Sequence, residues 1–144
     1  MSLIFHRKPR GPKGIRSDAE QERAKAQISF LQAAVEKGDG PDLLAQCREM
    51  LSQREAEIHN YEALKSGEFN FPKVTKVNEV AAVIPRLRIA RGISQTELAH
   101  RLGVSKQVIN RYEESGYQTV GLERLQRILE VLGVKVGIEL SSSL

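Results

Sequence analysis

Four side chains with the chemistry of polar recognition fall within one short run, SKQVINRYEE: Lys106, Gln107, Asn110 and Arg111. Gln and Asn amides can bond bidentately to adenine, and Arg and Lys can bond to O6 and N7 of guanine, so the set suits the edges of nucleobases. The same residue types also cover ordinary solvated helix faces, and composition alone leaves both readings open. Catalysis finds no comparable support. No nucleophile and base stand in a recognisable constellation, no Gly-rich phosphate loop follows a strand, and the acids between residues 49 and 62 spread round a helix. His6, His59 and His100 lie far apart without ligand spacing, and Cys47 is the single cysteine, which excludes an internal disulfide and a Cys-type zinc site. The expectation is a protein that is not an enzyme and needs neither metal nor cofactor.

The flanking residues show how a fold could present such a set. Ser94 followed by Glu97 has the spacing of a capping box and opens a short helix to Leu102, with Leu98, Ala99 and Leu102 on its buried face. Ala99 supplies the small side chain that a closely crossing helix requires. Gly103 suits a left-handed turn, Val104 plugs it, and Ser105 caps the next helix. In that helix Val108, Ile109 and Tyr112 point inward, while Lys106, Gln107, Asn110 and Arg111 point outward.

Taken in order, Gln95, Leu98, Ala99, Leu102, Gly103, Val104, Ile109 and Tyr112 resemble the helix-turn-helix of the Xre family, the Cro and lambda-repressor-like DNA-binding domains. LRIARG before the motif and GLERLQRILEVLG after it are similar to that family's first and fourth helices, so the resemblance covers residues 79–133. It implies that the second helix of the motif enters the major groove, with Lys106, Gln107, Asn110 and Arg111 as readers of base edges. By the same resemblance Gln95, Thr96 and Ser105 contact the DNA backbone, and Arg88 with Glu113 forms a structural ion pair. Where the family often has Glu, Arg, Gly and a Ser cap, this chain has Glu114, Ser115, Gly116, Tyr117 and then Gly121, and phosphate would repel Glu114.

The whole chain has 144 residues and a net charge of +4, with 40% hydrophobic and 5% aromatic residues. That describes a lean aliphatic core and a globular protein of one domain, or of one small domain with an appendage. The charge is unevenly divided: +5 over residues 1–16, −5 over 17–72 and +4 over 73–144. The basic C-terminal half suits a polyanion, and the acidic middle suits some other task. No apolar run is long enough to span a bilayer, and the start MSLIFHRKPRG has no signal-peptide h-region, so the expected address is cytoplasmic, with no membrane partner.

Residues 1–16, rich in Pro, Gly and basic groups, read as a flexible basic arm. Residues 17–67 read as a helical hairpin for interaction or dimerisation, its first helix capped by Ser17 and ended by Gly38, its second closed by Gly67. Along the second helix Leu44, Cys47, Leu51, Arg54, Ile58, Tyr61 and Lys65 step by three and four, which makes Cys47 a small buried hydrophobe. Residues 68–78, with Pro72, form a linker, and 134–144 a short strand and tail. Val134, Val136, Ile138 and Leu140 alternate with Lys135, Gly137 and Glu139, the period of a β-strand with one apolar face.

The fold expected is all-α: an N-terminal helical hairpin, a lambda-repressor-like helix-turn-helix domain over residues 79–133 and a short C-terminal β-strand. The function expected is a sequence-specific double-stranded DNA-binding transcriptional regulator, a dimeric repressor at a palindromic operator. The alternative is an antitoxin that sequesters a protein toxin and autoregulates its promoter, because the acidic hairpin with its YEALKSGE ending is similar to HigA-like antitoxins. The partners expected are double-stranded DNA, a second copy of the chain and, in the alternative, the toxin.

Overall fold

The computed structural model describes residues 14–38 and 40–143, and these form helices α1 (Asp18–Lys37), α2 (Pro41–Lys65), α3 (Val77–Ala90), α4 (Gln95–Leu102), α5 (Lys106–Glu114) and α6 (Leu122–Val131). Among the described residues no helix is long and apolar enough to cross a membrane.

Helix α1 starts where Ser17 Oγ accepts the Glu20 amide at 3.2 Å, and it ends at Gly38 in the left-handed conformation. Pro41 opens α2 at a position whose N–H has no helical partner to lose. The two helices are antiparallel, since the start of α1 is bonded to the end of α2. Tyr61 Oη and Lys65 Nζ both donate to Asp18 Oδ1, at 3.0 and 2.8 Å, and Gln21 Nε2 donates to Glu62 Oε1 at 3.0 Å. Leu31 and Cys47 are buried further along the hairpin.

An isolated two-helix hairpin buries too little apolar surface to stand alone. Here the third helix completes it. Ile15, Ala24, Tyr61, Leu64 and Ile89 form a small core where α1 and α2 meet α3. The main core lies beyond it, built from Ala81, Ile84 and Leu87 of α3, Leu98 and Ala99 of α4, Ile109 of α5, and Leu125, Ile128 and Leu129 of α6. Phe69 packs against both cores.

The expectation of an unattached basic arm over residues 1–16 needs correction at its inner end. Residues 1–13 lie outside the described residues, but Ile15 is buried in the small core and the Arg16 carbonyl accepts Arg88 Nη2 at 2.9 Å. Apolar Ile15 finds cover under α3, and that burial pins its neighbour. The linker is shorter than expected, because α3 begins at Val77, where the Glu79 carboxylate reaches back to the amides of Thr75 and Lys76 at 2.7 and 3.0 Å. The short C-terminal β-strand is not formed: residues 134–143 carry no strand, and no strand occurs among the described residues. A strand needs a partner for its backbone groups, and among the described residues the non-helical stretch beside this segment, with Phe71 and Val74, contains Pro72, which has no N–H to donate.

The position of α5 depends on one buried ion pair. Arg88 of α3 donates through Nε to Glu113 Oε1 at 2.5 Å and through Nη2 to Oε2 at 3.1 Å, with the side chains 3% and 0% exposed. Arg88 Nη1 also donates to the Ile93 carbonyl at 2.8 Å. Removing one partner of such a pair strands the other charge in the core and costs about 3–5 kcal/mol, whereas replacing both by apolar groups is far milder. Chemical denaturation is therefore expected to show Arg88→Met losing several times more stability than the Arg88→Met/Glu113→Leu double variant, and equal losses would contradict it.

Two exposed carboxylates make stability depend on acid. The hydrogen bond from Lys65, with a second from Tyr61, holds Asp18 below its ordinary value of 3.8, and the amides of Thr75 and Lys76 hold Glu79 below 4.5. A carboxyl whose pKa is lowered by folding stabilises the fold above its ordinary value, and that contribution is lost as pH falls through the lower folded value. The Asp18→Asn/Glu79→Gln variant should be less stable than wild type near neutrality, with the gap closing in acid. Urea titrations across pH would show a constant gap if the two carboxylates contribute nothing.

Candidate nucleic-acid interface

The α4–turn–α5 unit is shaped by local chemistry first. Ser94 Oγ accepts the Glu97 amide at 3.0 Å and so starts α4; the reciprocal half of the expected capping box is absent, because the Glu97 carboxylate is paired with Arg101 on the next turn. Gly103 ends α4 at φ 69°, where a side chain would be strained, and the Val104 amide closes the turn on the Ala99 carbonyl at 3.0 Å. Leu98, Ala99 and Ile109 are buried between the two helices, with Leu102 and Val104 packed at the edge. Ser105 occupies the N-cap of α5, yet its hydroxyl makes no capping bond and faces outward with the residue exposed.

Helix α5 is divided sharply between two faces. Ile109 and Glu113, one turn apart, are fully buried, and Tyr112 is half-buried. Lys106, Gln107 and Arg111 are exposed, and Asn110 is partly covered, its Nδ2 donating to Glu114 Oε1 at 3.2 Å. The outer face thus gathers two cations and two amides, with Ser105 at its start and exposed Thr96 in the first turn of α4. Glu114 sits at the C-terminal end of this face, where it holds the Asn110 amide.

Gln95 is not part of that surface. It is 7% exposed, and its Nε2 donates to Glu113 Oε2 at 2.8 Å, so the side chain expected to clamp phosphate is spent inside the protein. The physical reason is the buried carboxylate: Glu113 needs donors, and the first residue of α4 lies within reach. Arg88 and Glu113, named together from the resemblance, form the ion pair already described.

Tyr117 was missed by sequence reasoning. It is 1% exposed, adopts φ 59°, and its hydroxyl donates to Glu113 Oε1 at 3.4 Å. Burial, with the nearby Glu113 charge, pushes its phenol well above the usual range. A bulky residue in the left-handed region is strained and persists only when packing holds it, here against the Tyr112 ring at 5.9 Å between centroids. No local pattern in GYQTVG announces it, because the signal is tertiary.

Residues 86–138 match the family model described as helix-turn-helix, a span that includes part of α3, all of α4, α5 and α6, and the start of the C-terminal segment. The match includes no part of the hairpin, and no curated protein and no solved structure matches the chain. A helix held by a buried acid under its inner face, a glycine turn before it and two cations with two amides on its outer face agree with that match, and residues 86–138 form a helix-turn-helix unit similar to those of the Xre, lambda-repressor-like DNA-binding transcription regulators.

Proposed function

We propose that the protein is a sequence-specific double-stranded DNA-binding repressor that works as a dimer on a palindromic operator. The observation that carries this reading is the outer face of α5, where Lys106, Gln107 and Arg111 are exposed beside Asn110 on a helix whose inner face is locked by Glu113. A helix fixed from behind can hold base-pairing groups in register with the major groove. Lys106, Gln107, Asn110 and Arg111 act as base readers, and Thr96 and Ser105, with the amides heading α4, act on phosphate. Asn110 must exchange Glu114 for a base edge, and this swap removes the acid's side-chain partner among the described residues.

A two-fold dimer presents two recognition helices to successive major grooves on one side of the duplex, about 34–36 Å apart. Occupying a promoter in that way excludes polymerase. An antitoxin role for the acidic hairpin is favoured by one observation, the exposure of Phe30 on α1 and Leu43 on α2, which gives a protein partner an apolar foothold.

Selection from a random DNA pool would define the operator. Gln107→Ala and Asn110→Ala are then expected to cost about 1–3 kcal/mol on that site and little on random DNA. Equal losses on both would rule out base reading. Thr96→Ala and Ser105→Ala should weaken both DNAs together, because phosphate contacts carry no sequence information directly. Gln95→Ala should behave differently again, lowering thermal stability by about 1–3 kcal/mol through the donor taken from Glu113. A loss of affinity with unchanged stability would return that side chain to the DNA surface.

A further inference from the structure

Six of the nine large apolar side chains exposed among the described residues fall on two segments: Phe71, Val74 and Val77 at the approach to α3, and Val136, Ile138 and Leu140 after α6. The two segments meet across an apolar groove of about 180 Å³, lined by Phe71, Val80, Val83, Leu129, Val136 and Gly137. Along the second segment exposure climbs from 38% at Val136 to 71% at Ile138 and 92% at Leu140, although the residues alternate as a half-buried strand would. Beyond Val134, whose amide bonds the Leu129 carbonyl at 2.9 Å, residues 135–141 make no backbone hydrogen bond among the described residues. An apolar row and an unpaired backbone on the same short segment both call for an added strand.

We propose that residues 134–140 are the contact with a second copy of the chain, pairing antiparallel about a two-fold axis at Gly137, so that the strand missing from one chain forms between two. The sequence selects this register. Residues opposite one another in an antiparallel pair share a face. Centred on Gly137, the pairing sets Val136 opposite Ile138, Val134 opposite Leu140 and Lys135 opposite Glu139, each twice. Centred on Val136 or on Ile138 it would still keep the apolar faces together, but Lys135 would meet Gly137 or Ser141 and Glu139 would meet Gly133 or Gly137, so both ion pairs are lost. Shifting by half a step would set apolar against charged residues.

The segment is complementary to itself in charge as well as in hydrophobicity, which is the property an isologous interface needs. In that register the second copy's Ile138 and Leu140 come beside Val136 and Val134, next to the groove. This inference gives the interface of the dimer proposed above and rests on that reading. It is tested without DNA, so that the two can fail separately.

The test is the solution mass of the full chain by light scattering over a dilution series. Lys135→Glu and Glu139→Lys each set like charges opposite one another at two places, and each should raise the dissociation constant about tenfold or more. The double variant, which restores opposite charges in the other sense, should dimerise like wild type. Gly137→Cys should oxidise to a covalent dimer, since a Cβ there meets nothing of its own chain within 4 Å, while wild type with its buried Cys47 should not. A monomeric wild type, or a dimer that survives truncation after Gly133, would overturn the interface. Single charge variants as dimeric as wild type, or a double variant that stays weak, would overturn the register. Operator binding by a monomeric chain would sink the interface and leave the DNA reading standing.

Discussion

The buried carboxylate of Glu113 is the constraint around which the helix-turn-helix unit is arranged. A charge with no exposure must be matched by donors from its surroundings. Those donors come from every side: Arg88 of α3 with two nitrogens, Gln95 from the start of α4, and Tyr117 from the loop after α5. Hydrogen bonds are directional where apolar contacts are not, so the set fixes the rotation of α5 about its axis as well as its depth. That rotation decides whether Lys106, Gln107, Asn110 and Arg111 face outward together. A core of Leu and Ile alone would hold the helix in place with less control over which residues it presents.

The same arginine ties the DNA-binding unit to the rest of the chain. Its Nη2 also donates to the Arg16 carbonyl, and Ile15 is packed beside Ile89 in the small core under the hairpin. The base of the N-terminal segment and α5 therefore share one polar centre, with the hairpin packed beside it through the small apolar core. The hairpin contributes most of the acidic stretch over residues 17–72, whereas the helix-turn-helix half is basic. That division leaves the hairpin stretch acidic within a chain of net charge +4 and concentrates the positive excess in residues 1–16 and 73–144.

The places where sequence and structure part company have a common cause. Gln95 reads as a surface residue at the head of a helix, but the depth of Glu113 turns it inward. Tyr117 reads as an ordinary loop residue, but the main core beside Glu113 takes its ring at the expense of backbone strain. Residues 134–140 alternate like a strand, but the described residues offer no edge to pair with. In the first two cases the deciding contact is tertiary, and in the third the described residues supply none.

What the sequence determined by itself was local: the cap at Ser17, the left-handed exits at Gly38 and Gly103, the cap at Ser94, and the three-and-four spacing that buries Leu98, Ile109 and Cys47. Each depends on residues within one or two turns, where backbone geometry and side-chain type leave few alternatives. The resemblance added the partnership of Arg88 with Glu113, which no spacing rule would supply across 25 residues. Only the tertiary structure decided which side chains that carboxylate would draw inward, and that Ile15 and Arg16 would be held under α3 instead of trailing free. Those outcomes depend on how closely separate helices approach, and a buried charge takes its donors from whatever lies within about 3 Å of it, however distant in the chain.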